Sequence, residues 1–148
     1  MDLFKRKNIF DDAANEAVVK AIQQAESMTS GEVRVYVEQK CKYVDPMDRA
    51  REIFEMLNMQ QTAARNGVLV YVAFRDRQLA ILGDEGIHQK VGDHFWRSQV
   101  AAMRAAFSKE QYVPGITAAV RSIGDSLKAY FPYQRDDRNE LPDNIVYG

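Results

Sequence analysis

The stretch that decides the fold is RNGVLVYVAFRDRQLAILGDEG, Arg65 to Gly86. Val68 to Phe74 is apolar almost without interruption, which marks a strand buried on both faces and so central in its sheet. RDR, Arg75 to Arg77, is a short polar turn. QLAIL, Gln78 to Leu82, is a second strand, so residues 67 to 82 read as an antiparallel hairpin. The stretch ends on GDEG, Gly83 to Gly86, where two carboxylates sit between two glycines. Whether these four residues form an ordinary turn or hold something is the functional question that the chain raises.

Upstream, EVRVYVEQ alternates strictly. Val33, Val35 and Val37 point one way, and Arg34, Tyr36 and Glu38 the other, giving a strand with one strongly apolar face. Before it, Asp11 and Asp12 open a helix with Ala14, Val18, Ala21, Ile22 and Ala25 at helical spacing. The spacing runs to about Met28; Phe10 is placed to staple the helix start, and TSGE breaks the helix with Gly31 as its terminator. Between the two strands, DPMDRAREIFEMLNM is a helix with Asp45 as N-cap and Pro46 at its first position. Met47, Ala50, Phe54 and Leu57 form its buried stripe. Downstream come two amphipathic helices. One runs from about Asp93, with Trp96, Val100, Met103 and Phe107 in line. The other starts near Pro114, with Ile116, Val120, Ile123, Leu127 and Phe131 in line.

This order predicts an α/β fold: a small mixed sheet, made of a parallel crossover plus an antiparallel hairpin, flanked by helices in layers. Residues 1–131 form the domain. Residues 132–148 are a polar tail, either disordered or packed on the body through Tyr133, Leu141 and Ile145.

The 148 residues carry 20 basic and 21 acidic side chains, a net charge of −1. That balance provides no field for nucleic acid or for an anionic membrane surface. The longest apolar run is far short of the roughly 20 residues of a membrane span. MDLFKRKNIF has no apolar core behind its basic residues, so no secretory signal is read there. The single cysteine, Cys41, suits a reducing compartment. The expected setting is cytoplasmic, with no membrane insertion and no nucleic acid; a protein is the expected partner class.

Chain direction brings three loops to one rim. Parallel strands place Glu32 and Gly67 at the same end of the sheet, and the returning strand finishes there at Leu82. Ser30, Glu32, Asn66, Asp84 and Glu85 then meet, with Asp93 near them. Oxygen donors on glycine-containing loops suit a hard divalent cation, calcium first and magnesium second. The candidate metal ligands are therefore Asp84, Glu85, Asp93, Glu32 and Asn66. Competing with this is a turn whose acids face a helix N-terminus. His88 and His94 lack the i, i+4 spacing of a zinc pair. No nucleophile elbow, phosphate loop or dinucleotide fingerprint is present, and no catalytic residue is assigned. The opposite rim carries Lys40, Lys42, Tyr43 and Asp45, and open α/β sheets usually bind ligands there, beyond the carboxyl ends of the strands.

The succession SGEVRVYVE, DPMDRAREIFEMLNM, RNGVLVYVAFRDRQLAILGDEGI and VGDHFW resembles the TPM-domain family, over about residues 10 to 131. The tail FPYQRDDRNELPDNIVYG is similar to that of its small bacterial members. The resemblance implies a helix-flanked α/β sheet and divalent metal binding, chiefly of calcium. It also implies an accessory role, as in photosystem repair or receptor assemblies, or a metal-assisted phosphatase acting on phosphomonoesters, as for a thylakoid-lumen member. A metal-free interaction module is the further alternative. Many relatives carry a signal peptide and a membrane helix that are not read in this chain. The family pattern has Asp-Asn-Gly before the apolar strand. Here the first position is Arg65, whose guanidinium could take a cation's place beside Asp84 or Glu85.

Overall fold

The computed structural model describes residues 11–133 and 145–148. The elements in chain order are α1 (Asp12–Glu26), β1 (Glu32–Glu38), α2 (Pro46–Met56), β2 (Gly67–Ala73), β3 (Gln78–Gly83), α3 (Glu85–Ser108), α4 (Tyr112–Tyr130) and β4 (Val146–Tyr147). The expected staple residue Phe10 and the expected tail contact Leu141 lie outside the described residues.

The sheet order is β3-β2-β1-β4. β1 and β2 run parallel in the register Glu32↔Gly67 to Glu38↔Ala73, and β2 and β3 are antiparallel from Val68↔Gly83 to Ala73↔Gln78. This is the mixed α/β sheet expected, with β2 inside it and every one of its residues buried. One face packs on α1, α3 and α4, through Val33, Val35, Val37, Val68, Val70 and Val72 against Val18, Ile22, Met103, Ile123 and Leu127. The other face holds α2, with Leu69 and Tyr71 against Ala50, Ile53 and Phe54.

Local chemistry explains the element starts. Asp11 caps α1 by accepting from the Ala14 amide at 2.8 Å. Asp45 caps α2 by accepting from the Met47 amide at 2.9 Å, and Pro46 opens that helix, where its missing N–H costs nothing.

Three features differ from expectation. The polar side of β1 is not solvated: all seven residues are buried, with Tyr36 packed in the cluster that α2 forms and Glu38 bonded by Arg49 of that helix. The helix expected from about Asp93 begins at Glu85, capped by Asp84, and is broken at Gly92, whose φ of 77° and ψ of 173° lie in a region that only glycine enters readily. Its apolar period restarts after that break, which is why the sequence signal begins there. Finally, Val146 and Tyr147 extend the sheet in parallel with Tyr36 and Val37, and Ile145 is buried in the core. No helix among the described residues is long and apolar enough to cross a membrane.

Candidate functional site

The rim at the start of β1 and β2 is built from backbone outward. The Glu32 amide donates to the Asn66 carbonyl at 3.3 Å, the Asp84 amide to the Gly67 carbonyl at 2.9 Å, and the Gly86 amide to the Arg65 carbonyl at 2.8 Å. The three loops are thereby tied to one another. Both glycines of GDEG are demanded by packing. The Trp96 ring lies where a Cβ on Gly83 would be, and the Ala64 and Arg65 carbonyl oxygens lie where a Cβ on Gly86 would be.

Arg65 reaches across this rim to Asp84. Its Nε donates to Oδ2 at 2.7 Å and its Nη2 to Oδ1 at 2.8 Å, a two-pronged ion pair. The same Asp84 Oδ1 accepts from the Glu85 amide at 2.7 Å, so the carboxylate also caps α3. Hydrogen bonding to Asp84, then its charge, holds the Arg65 guanidinium above its ordinary pKa. Arg65 makes this reach from a φ of 53°, a left-handed conformation uncommon for a side chain of its size. A cavity of about 460 Å³ adjoins the pair, walled by Arg51, Phe54, Glu55, Gln60 and Leu82.

The other expected ligands are distributed around this pair rather than gathered on it. Glu85 is exposed, and its nearest side-chain partner is Gln89 Nε2 at 3.5 Å. Asp93 is exposed, 3.6 Å from His88 Nε2. Glu32 is buried, and strand alternation puts it on the Arg34 and Tyr36 side of the sheet. Asn66 is buried and donates from Nδ2 to Ser30 Oγ at 3.2 Å, while its Oδ1 has no hydrogen-bond partner among the described residues. No group of three or more His, Cys, Asp or Glu side chains placed to hold a metal ion occurs among the described residues. His88 is engaged at Nδ1 by Trp96 Nε1 at 3.0 Å, and Trp96 itself is core.

The opposite rim holds a polar network that sequence reasoning approached through Lys42 and Tyr43 and otherwise missed. Glu38, at the end of β1, accepts from Arg49 Nε at 2.9 Å, from Arg49 Nη2 at 3.0 Å, and from the Tyr71 hydroxyl. Arg49 also donates to Glu52, which accepts from Tyr43 as well and pairs with Lys42 Nζ at 2.9 Å. Bonding to Glu38 holds the Arg49 guanidinium above its ordinary pKa. Burial first, and Glu38 second, push Tyr71 up. The last residue, Gly148, stands against Tyr36 and Glu38, with its amide on the Val37 carbonyl at 2.7 Å. Tyr71 was the available signal: one hydroxyl inside an apolar strand needs a buried partner.

Glu52 gives this network a pH signature. The Tyr43 hydroxyl first, and Lys42 next, lower its carboxyl from 4.5 to about 2. A depressed folded pKa contributes stability that is complete above about pH 4.5 and is lost as pH falls toward 2. In acid unfolding followed by circular dichroism, Glu52→Gln should flatten the stability loss across that window. An unchanged profile would remove Glu52 from the acid response.

Three comparisons bear on this arrangement. A family model described as the TPM domain matches residues 3–126. The NMR structure of the BA42 protein from the psychrophilic bacterium Bizionia argentinensis is similar over 93% of this chain and 94% of its own, with 38% identity and a TM-score of 0.85. The N-terminal domain of the cg2496 protein from Corynebacterium glutamicum covers 78% of this chain and 70% of its own, with 18% identity and a TM-score of 0.55, a likeness of fold alone. No curated protein matches the chain.

Proposed function

This chain belongs to the TPM-domain family, and from that premise we propose that it is an accessory binding module that works without a bound divalent cation. The observation that carries this reading is the two-pronged Arg65–Asp84 pair. A guanidinium supplies both the charge and the directed donors that a carboxylate would otherwise satisfy with a metal. The acidic rim is thus neutralised from within, and Asp84 serves to cap α3 and lock it to the β1–β2 end of the sheet. A protein is the partner class that fits. Met28, Tyr130 and Tyr133 are each about half exposed, and the Tyr133 amide bonds the Met28 carbonyl at 2.9 Å, which brings the segments carrying Met28 and Tyr133 side by side. The free thiol of Cys41 fits a cytoplasmic setting.

A second reading, a calcium or magnesium ion at the same rim, is favoured by one observation: the buried Asn66 Oδ1 without a hydrogen-bond partner, next to Ser30. A metal-assisted phosphatase would require that second reading as its starting point.

Amide NMR spectra recorded during a calcium titration separate the two. With calcium raised to about 10 mM, above the roughly millimolar range of weak protein sites, the native chain should show no saturable shift at residues 30, 66, 84 or 85. Arg65→Asp, which restores the family's acidic position, should introduce one. Saturable shifts in the native chain would overturn the cation-free reading and support the ion.

A further inference from the structure

The far end of the sheet contains a cavity of about 360 Å³ between the β2–β3 turn and the α3–α4 turn. That volume suits a small molecule of one or two rings. Three aromatic side chains wall it. The rings of Phe74 and Phe107 are stacked with centroids 5.9 Å apart, and Tyr112 stands edge-on to Phe74 at 5.2 Å. Arg77 and Arg104 line the same space from opposite elements, and neither has an acidic partner among the described residues. Glu110 also lines it, leaving an excess of one positive charge.

Arg77 and Glu110, one on each turn, hold left-handed backbones with φ of 53° and 60°; at Glu110 that conformation closes α3, with the Glu110 amide on the Phe107 carbonyl and the Gln111 amide on the Ala106 carbonyl. The cavity also lies beyond the carboxyl end of β2, the end at which open α/β sheets receive ligands.

We infer that this cavity binds a small aromatic acid, its ring lying against Phe74, Phe107 and Tyr112 and its anionic group held between Arg77 and Arg104. Ring contacts supply the apolar area, and two guanidiniums supply directed donors to a carboxylate. Both arginines are exposed and can swing inward without disturbing the core. The site is at the opposite end of the sheet from Arg65 and Asp84, so it stands or falls independently of the cation question.

The test is an amide NMR titration of the full chain with 2-naphthoate, alongside the neutral 2-naphthalenemethanol. Saturable shifts should appear at residues 74–79 and 104–112. The neutral compound should bind at least about tenfold more weakly, the loss expected when a charge-assisted contact is removed. Arg77→Gln and Arg104→Gln should each weaken naphthoate binding, and the double variant should abolish it. Unchanged thermal midpoints would show that these exposed replacements leave the fold intact. Phe107→Leu should weaken both compounds together. Shifts that never saturate, equal affinity for the neutral compound, or undiminished binding by the double arginine variant would each overturn the assignment.

Discussion

Glu38→Ala should lower the unfolding free energy by about 3 to 5 kcal/mol, the scale on which a buried charged network fails when one member is removed. Glu38 is about 9% exposed, and three of its hydrogen bonds come from Arg49 and Tyr71. Its loss takes two hydrogen bonds from the Arg49 guanidinium, which keeps Glu52 as its acidic partner, and removes the carboxylate partner of the fully buried Tyr71 hydroxyl. At about 2 to 4 °C per kcal/mol for a chain of this size, the thermal midpoint should fall by roughly 6 to 20 °C. Glu38→Gln keeps the shape and one acceptor oxygen, so it should fall between. A compensated variant, Glu38→Met with Arg49→Met, should recover part of the loss, because no uncompensated charge remains. A single alanine variant that melts within a degree of the native chain would show that the network contributes little to stability.

Gly86→Ala should destabilise by about 3 kcal/mol, near the top of the range for forcing one methyl group into a packed place. The new Cβ would collide with the Ala64 carbonyl oxygen and stand 2.6 Å from that of Arg65. Both obstacles are backbone, and that backbone is fixed by the Gly86–Arg65 hydrogen bond and by the left-handed turn at Arg65. Relief requires α3 to lift from the loop, which would also pull Asp84 from Arg65. Urea denaturation should show the loss as a lower midpoint at an unchanged slope. If Gly86→Ala unfolds at the native midpoint, the close approach is not maintained in solution.

Much of this fold was legible because its signals are local. Asp45 followed by Pro46, the alternation from Glu32 to Gln39, and the apolar run from Val68 each depend on neighbours in sequence. The meeting of three loops at one rim followed from chain direction alone. The start of α3 was not legible, since Gly-Asp-Glu-Gly has poor helix propensity and reads as a turn. It is a helix start because Asp84 caps it and because Gly86 fits against another loop, a tertiary circumstance. The burial of β1's polar side was hidden for the same reason. Arg34, Tyr36 and Glu38 alternate as solvent-facing residues do, and the burial of Glu38 is satisfied by Arg49 and Tyr71, 11 and 33 residues away. The pairing of Val146 and Tyr147 with β1 has too short a pattern to be seen in sequence at all.

At the rim, sequence reasoning named two occupants for Asp84, a cation or Arg65. The Arg65 guanidinium bonds both of its carboxylate oxygens, and the calcium titration decides whether an ion also binds. Spacing alone does not reveal the pair, because Arg65 reaches Asp84 from a left-handed backbone that nothing in the sequence announces.

The break at Gly92 separates α3 into two pieces, and the bond from Trp96 Nε1 to His88 Nδ1 spans it, while the same indole covers Gly83 at the end of β3. Trp96 is the chain's only tryptophan. Indole emission excited selectively is therefore an optical reporter of this joint, native to the chain and needing no label: any event that loosens the two helix pieces from each other, or from the sheet, should register in its wavelength and lifetime.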